Sequence, residues 1–193
     1  MSATLRRRLF LSSAGMAVLA ACASTNPTLY TLAPVPGAPH PGAPPVVVLR
    51  EISLARYLER PQIVRSSASY QLDVMVNDWW GEPLGAMLGR ILVEELSQRL
   101  PGSVVLSELG AVGNRPDATV ELNVLRLDAE RTGTVVLRAQ LGVSRADRRR
   151  APTAEAIEVK AEPPSDGVAG EVAAMSDAVG KLADRIAAAL AGS

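Results

Sequence analysis

The sequence predicts an α+β fold in two layers: an antiparallel-rich mixed sheet with two helices packed on one face. Two segments repeat apolar residues at helical spacing along one side only, and several others alternate apolar with polar residues, as half-buried strands do. Elements that are apolar on one side bury that side most simply as helices layered on a sheet. A chain of 193 residues with 48% apolar content is sufficient for one such domain.

The first strands follow a proline-rich stretch. The continuous apolar run at residues 46–49 predicts a central strand buried on both faces, and residues 52–54 continue it in alternation. Residues 63–64 predict a short pairing segment. Residues 70–77 alternate apolar and polar side chains, which predicts a half-buried strand.

Two helices are predicted, one in the middle of the chain and one near its end. Residues 84–100 carry an apolar stripe, and Pro83 suits the first turn of that helix. Residues 168–190 carry a second stripe, with Ser165 or Asp166 as the expected N-cap. The pattern between the helices predicts four strands, at 104–106, 120–124, 135–143 and 157–159, and hairpin turns at 132–133 and 146–147.

The composition argues against several classes of function. The 20 basic side chains balance the 20 acidic ones and only 3% of residues are aromatic, which is unlike a nucleic-acid-binding protein. With one histidine, His40, and one cysteine, Cys22, a His-ligated zinc site and an internal disulfide are excluded, and a serine triad would need His40 from a proline-rich segment. Glu94 and Glu95 are expected in solvent, on or beside the polar face of the first helix. We therefore expect that the protein is not an enzyme and that it binds no metal and no cofactor, apart from the covalent lipid on Cys22 that the next observations predict.

Residues 1–21 have the pattern of a lipoprotein signal peptide. Three arginines at positions 6–8 precede an apolar run, which is shorter than the roughly 20 residues a transmembrane helix needs. The run ends in Leu19-Ala20-Ala21-Cys22, which resembles the bacterial lipobox, where the cysteine thiol receives diacylglycerol. An ordinary signal peptide with a chance cysteine is the alternative. The general and the twin-arginine export routes both stay open.

Acylation at Cys22 predicts a protein that stays on a membrane. Each buried CH₂ contributes about 0.8 kcal/mol, and two acyl chains already anchor a protein stably. In enterobacterial sorting, an acidic residue directly after the lipidated cysteine resembles a signal for retention in the inner membrane. This chain has Ala23 at that position. The expected location is therefore the outer membrane, facing the periplasm.

Residues 22–45 are rich in proline and predict a tether between the lipid and the domain. In polyproline II geometry, at about 3.1 Å per residue, the tether reaches up to about 70 Å, or less if Tyr30 and Leu32 dock. The folded domain then occupies residues 46–193.

Two places in the domain favour contact with a partner. The connection after residues 52–54 does not alternate, and two consecutive tryptophans stand at a strand-to-helix corner, where one ring is expected in the core and its neighbour outside. Aromatic and arginine side chains are the usual interface anchors. For Tyr57, pinning the connection to the core is an equal alternative. The candidate interface residues are Tyr57, Leu58, Arg60, Pro61, Trp79 and Trp80.

The same segments carry a resemblance to a known family. Residues 52–64 resemble the "I-x-L-x-x-Y-L-x-R-x-x-I-V" segment of the ABC-type transport auxiliary lipoproteins, of the paraquat-inducible protein C type. Tyr30-Thr31-Leu32, Trp80-Gly81-Glu82-Pro83-Leu84 and Leu100-Pro101-Gly102 are similar to further features of the family, in the same order. The resemblance spans roughly residues 19–107. Trp79 is a departure, since it adds a second tryptophan to the corner.

The resemblance implies a non-catalytic lipoprotein that accompanies an MCE-type lipid transporter. Its partners would be an MCE substrate-binding protein with the ABC permease and ATPase, with a homo-oligomer also possible. Three other functions remain as alternatives. For an adaptor or assembly lipoprotein of another envelope complex, the neighbouring genes would not encode an ABC ATPase, a permease and an MCE protein. A lipid carrier would need an apolar cavity. An enzyme is the least favoured alternative.

Overall fold

The computed structural model describes residues 26–110, 115–147 and 151–192. In these residues nine strands form one mixed sheet with two long helices, which confirms the predicted α+β fold class. The strands are β1 (Thr28–Tyr30), β2 (Val46–Leu49), β3 (Ser53–Leu54), β4 (Gln62–Ala68), β5 (Gln71–Trp80), β6 (Val104–Ser107), β7 (Ala118–Glu130), β8 (Val135–Arg145) and β9 (Thr153–Ala161). The helices are α1 (Leu84–Arg99) and α2 (Val168–Ala191), and short 3-10 helices span Arg56–Leu58 and Glu108–Gly110.

The long strand β7 is the centre of the sheet. Along one edge it pairs antiparallel with β8, which pairs antiparallel with β9. Its other edge is shared by three short parallel partners, β2, β3 and β4. β2 then pairs with β6, while β4 pairs with β5 and β5 with the edge strand β1. The sheet is therefore forked on this side, and its longest ladders are antiparallel.

A bulge at Leu125 changes which residues of β7 face the helices. The register with β8 shifts at this residue. Val124 is the last buried residue of one phase, and Leu127 and Ala129 are buried in the next. Because strand side chains alternate with a period of two, the extra residue reverses the phase and directs Asp128 to the helix-free face.

Both helices contribute their apolar stripes to a single core. α2 packs on β7, β8 and β9, and α1 packs on α2 and β6. Ile91 and Leu92 of α1, Val179 and Leu182 of α2, and Leu137 of β8 are all fully buried in this core. Within the described residues, no helix is both long and apolar enough to cross a bilayer.

The start of α2 differs from the prediction. Its N-cap is Gly167, with φ of 85°, and no side chain caps the helix, so neither Ser165 nor Asp166 has the predicted role. Glycine adopts this left-handed conformation without steric cost, which allows the chain to turn directly into the helix.

The strand predicted at residues 70–77 exists, but of its apolar side chains only Met75 packs against the core. Tyr70 lies in the turn before β5 and is fully exposed, and Val76 is 74% exposed. β4 pairs with β7 only at Arg65 and Ser66. Most of the β4–β5 hairpin therefore extends past the central strand, and several of its apolar groups stay at the surface.

The segment before β2 is part of the folded unit. β1 pairs with β5, and Leu32 is only 2% exposed. Residues 31–40, which we call the strap, then cross the seam between α1 and α2. The N–H of Ala33 donates to Ser176 Oγ of α2 (3.1 Å), and the N–H of Val35 donates to Glu95 Oε1 of α1 (2.7 Å).

This packing corrects the boundary between tether and domain. Of the residues assigned to the tether at 22–45, Tyr30 and Leu32 dock on the core, as the shorter-reach alternative required. The folded unit starts at Thr28 and not at Val46, because the helix seam supplies side-chain hydrogen bonds and apolar contacts to an otherwise irregular backbone.

Candidate functional site

Three separate stretches of chain meet at one corner of the molecule. The N–H of Trp80 donates to the carbonyl of Pro61 (2.7 Å), and the N–H of Gly81 donates to the carbonyl of Tyr30 (2.8 Å). These bonds place the end of β5 beside both β1 and the connection that follows β3. We call the exposed part of this meeting point, formed by Leu29, Arg60, Pro61 and Trp79, the corner.

The structure distinguishes the two tryptophans. Trp80 is 7% exposed and belongs to the core. Trp79 is half-buried, and its indole Nε1–H donates to the carbonyl of Val76 (2.9 Å). Trp80 is therefore a structural residue in this fold, and Trp79 is the ring with accessible surface.

Of the predicted interface residues before the tryptophans, two are held by the fold. Leu58 is 3% exposed and packs in the core. The hydroxyl of Tyr57 donates to Asp128 Oδ2 (2.7 Å), while Ser66 donates to Oδ1 (2.8 Å) and Arg126 pairs with the same carboxylate (2.9 Å). The structure thus favours the alternative in which Tyr57 pins the connection.

The electrostatics of this cluster keep the phenol protonated. Burial, with the Asp128 carboxylate next, raises the pKa of Tyr57 well above its usual value. Asp128 is 1% exposed, and its charge is compensated by Arg126, which also reaches Glu130 (3.3 Å). The arrangement holds the connection that contains Tyr57, and β4, against β7.

Arg60 and Pro61 are exposed, as a docking role requires. Leu29, 63% exposed, joins them and was not among the predicted candidates. Its register with Trp79 could be inferred only by assuming that the short apolar cluster at residues 29–32 pairs with β5.

A second polar cluster lies under the strap, and the sequence does not reveal it. Glu95, expected in solvent, is fully buried, and burial raises its pKa to about 7 even though the Val35 N–H and Arg99 both act to lower it. Arg99 is 1% exposed, pairs with Asp184 (2.5 Å) and donates to the carbonyl of Val35 (3.0 Å). The cluster fixes the strap on the helices. The local pattern of apolar and polar residues cannot predict this cluster, because the group that Glu95 binds lies 60 residues away in the sequence.

Nothing in the described part of the chain groups three His, Cys, Asp or Glu side chains in a way that could hold a metal ion. Cys22 lies outside the described residues.

The chain is similar to one described protein family and to two solved structures. A family model described as "ABC-type transport auxiliary lipoprotein component" matches residues 30–187. The crystal structure of an uncharacterized protein is similar, with a TM-score of 0.70 and 19% identity over 84% of this chain and 97% of that one. The crystal structure of protein XCC0632 from Xanthomonas campestris, assigned to family DUF330, has a TM-score of 0.64 and 18% identity over 83% of this chain and 92% of that one. At these identities the two structures show a shared fold. A search among curated proteins found no match.

Proposed function

We propose that this chain, which belongs to the ABC-type transport auxiliary lipoprotein family, is the non-catalytic docking subunit of an MCE-type lipid transporter. The lipid on Cys22 anchors it in the outer membrane, with the domain in the periplasm. Its partners are the MCE substrate-binding protein and, through it, the ABC permease and ATPase. The system moves lipids between the two membranes, and this subunit contributes binding and position.

The observation that carries the proposal is the family match, which covers most of the domain, residues 30–187. The chemistry of the described residues agrees with a docking role. The buried carboxylates of Asp128 and Glu95 are used to hold a strand connection and the strap. Arg60 is exposed beside Pro61, and arginine is one of the side chains enriched among the strongest contributors to protein interfaces.

The proposal is tested by purifying the tagged, full-length lipoprotein from detergent-solubilised membranes and identifying what accompanies it. We expect an MCE protein with an ABC permease and ATPase. Recovery of a different envelope complex would support the adaptor alternative and contradict the transporter assignment.

A parallel preparation with Cys22→Ala tests the anchor. This variant should lose acyl-label incorporation and leave the membrane fraction. Acyl label that persists in the variant would contradict acylation at this cysteine.

A further inference from the structure

We propose that Leu29 and Trp79 form a membrane-contact patch that rests on the same bilayer that holds the lipid of Cys22. This inference rests on the proposed acylation of Cys22, and it goes further by specifying which side of the domain faces the lipid.

The register of β1 and β5 places the two side chains together. Leu29 and Trp79 are paired in this parallel ladder, and paired residues of adjacent strands project from the same face of a sheet. The next pair, Tyr30 and Trp80, packs against the core. Because successive side chains alternate, Leu29 and Trp79 face away from the core.

The patch suits the boundary between headgroups and acyl chains. Leu29 is 63% exposed, and Trp79 is half-buried, so both side chains have surface available to lipid. The indole Nε1–H of Trp79 is already bonded to the carbonyl of Val76. The ring can therefore leave water without an unpaired donor, which removes the main cost of burying a tryptophan. Tryptophan is also enriched at the membrane–water interface, at the level of the lipid headgroups.

The short length of chain between the lipid and the patch indicates that the surface in contact with the patch is the bilayer. Leu29 follows Cys22 by seven residues, which span at most about 25 Å when fully extended. β1 is the edge strand of the sheet, so this side of the domain is the one that the acyl chains hold closest to the membrane. Arg60 and Pro61 are exposed and are not part of the patch, so they stay available for the protein contact proposed above.

The two tryptophans of the chain provide the test, since they are its only indole fluorophores. The lipidated protein is purified from membranes and reconstituted into phosphatidylcholine vesicles with either brominated or ordinary acyl chains. Trp80→Phe leaves Trp79 as the reporter, and Trp79→Phe leaves Trp80. We expect the brominated chains to quench Trp79 strongly and Trp80 little.

Trp80 belongs to the core, so Trp80→Phe requires a check of the fold by circular dichroism. If that variant does not fold, the wild-type protein is compared with Trp79→Phe, and the quenched part of the emission should disappear with Trp79.

Sedimentation of the same vesicles distinguishes the possible failures. Protein left in the supernatant would overturn the acyl anchor, and the patch with it. Protein that sediments while Trp79 is quenched no more than Trp80 would overturn the patch and leave the anchor intact. Trp79 emission that is unquenched by lipid but shifts to the blue on addition of transporter subunits would assign this face to a protein, and would also overturn the proposal.

Discussion

At the scale of single residues, two buried carboxylates hold segments that have little regular structure of their own. Asp128 accepts hydrogen bonds from Tyr57 and Ser66, and so fixes the connection that leads to the corner. Glu95 accepts a hydrogen bond from the backbone of Val35, and so fixes the strap. Asp128 is ion-paired with Arg126, because an isolated buried charge is unstable in a protein interior. Arg99 acts to lower the pKa of Glu95, which burial raises.

Replacing Tyr57 with phenylalanine tests whether this residue pins the connection. Tyr57→Phe removes one hydrogen bond to a charged, buried acceptor, and we expect the free energy of unfolding to fall by about 1–2 kcal/mol. Urea denaturation measures the change. Arg60→Ala, at an exposed position of the same connection, should leave the stability almost unaltered. Equal losses in the two variants would contradict the distinction drawn between them.

Glu95 predicts a specific dependence of stability on pH. Its pKa is raised from 4.5 to about 7 in the folded protein, chiefly by burial. The folded state therefore holds a proton that the unfolded state releases, so stability is highest at acid pH and falls as pH rises from about 4.5 to about 7. Arg99, Asp184 and Glu94 are the charged groups that act on it.

The Glu95→Gln variant removes this titration while retaining an acceptor for the N–H of Val35. Between pH 5 and pH 8 the wild type should lose about 2–3 kcal/mol of unfolding free energy relative to the variant. Urea titrations at both pH values measure the difference. Parallel pH profiles for the two proteins would show that Glu95 does not titrate in this range.

Residue roles could be predicted from the sequence only where local pattern determines them. The expectation that one tryptophan is buried and its neighbour is not follows from strand alternation, although only the structure shows that Trp80 is the buried one. The burial of Glu95 could not be predicted, because it depends on Val35, in a segment without helical or strand periodicity.

At the scale of elements, close packing of the strap depends on two glycines, one within the strap and one beneath it on α2. A β-carbon at Gly180 of α2 would lie 2.9 Å from Cβ of Val35, and one at Gly37 would collide with the guanidinium of Arg99. The strap therefore approaches α2 and the Arg99 side chain more closely than an alanine would permit at either position.

Gly180→Ala should displace the strap while leaving both helices in place. We expect faster hydrogen exchange at Val35 and earlier proteolysis between residues 31 and 40. Gly89→Ala on α1 is the matched control, since a β-carbon there meets nothing within 4 Å, and it should stabilise the helix by up to about 1 kcal/mol. Unchanged exchange at Val35 in Gly180→Ala would contradict the close approach.

The elements were predicted well where one periodicity runs through a whole segment and poorly where it breaks. Both helices fall within a few residues of their predicted ranges, because their apolar stripes are continuous. The strand predicted at 120–124 in fact extends to Glu130, and the bulge at Leu125 conceals this by reversing the alternation.

At the scale of the whole molecule, the forked sheet depends on contacts between distant parts of the chain. β7 pairs on one edge with three strands from the first part of the chain, and β1 adds to the far side of the fork. Such non-local pairing carries no local signal, so the sequence predicts the layers and most of the strands but not their order.

Truncation tests whether β1 and the strap belong to the fold. Removal of the chain up to residue 45 would expose the seam between the helices and leave Glu95 and Arg99 without their strap partners. We expect that protein to bind hydrophobic dyes and to melt without cooperativity, whereas a protein that starts at Thr28 should melt cooperatively. Identical cooperative melting of both would return the domain boundary to residue 46.

We propose that the molecule acts by docking, and the amount of transporter that each variant retains tests this role. Arg60→Ala is compared with Arg131→Ala, an exposed arginine in the turn between β7 and β8, by quantifying the co-purified MCE protein and measuring the melting temperature of each variant. An anchor worth about 2 kcal/mol corresponds to roughly a thirtyfold loss of affinity. We expect that loss for Arg60→Ala alone, at an unchanged melting temperature. Full retention of the partner by Arg60→Ala, or equal loss in both variants, would contradict docking through Arg60.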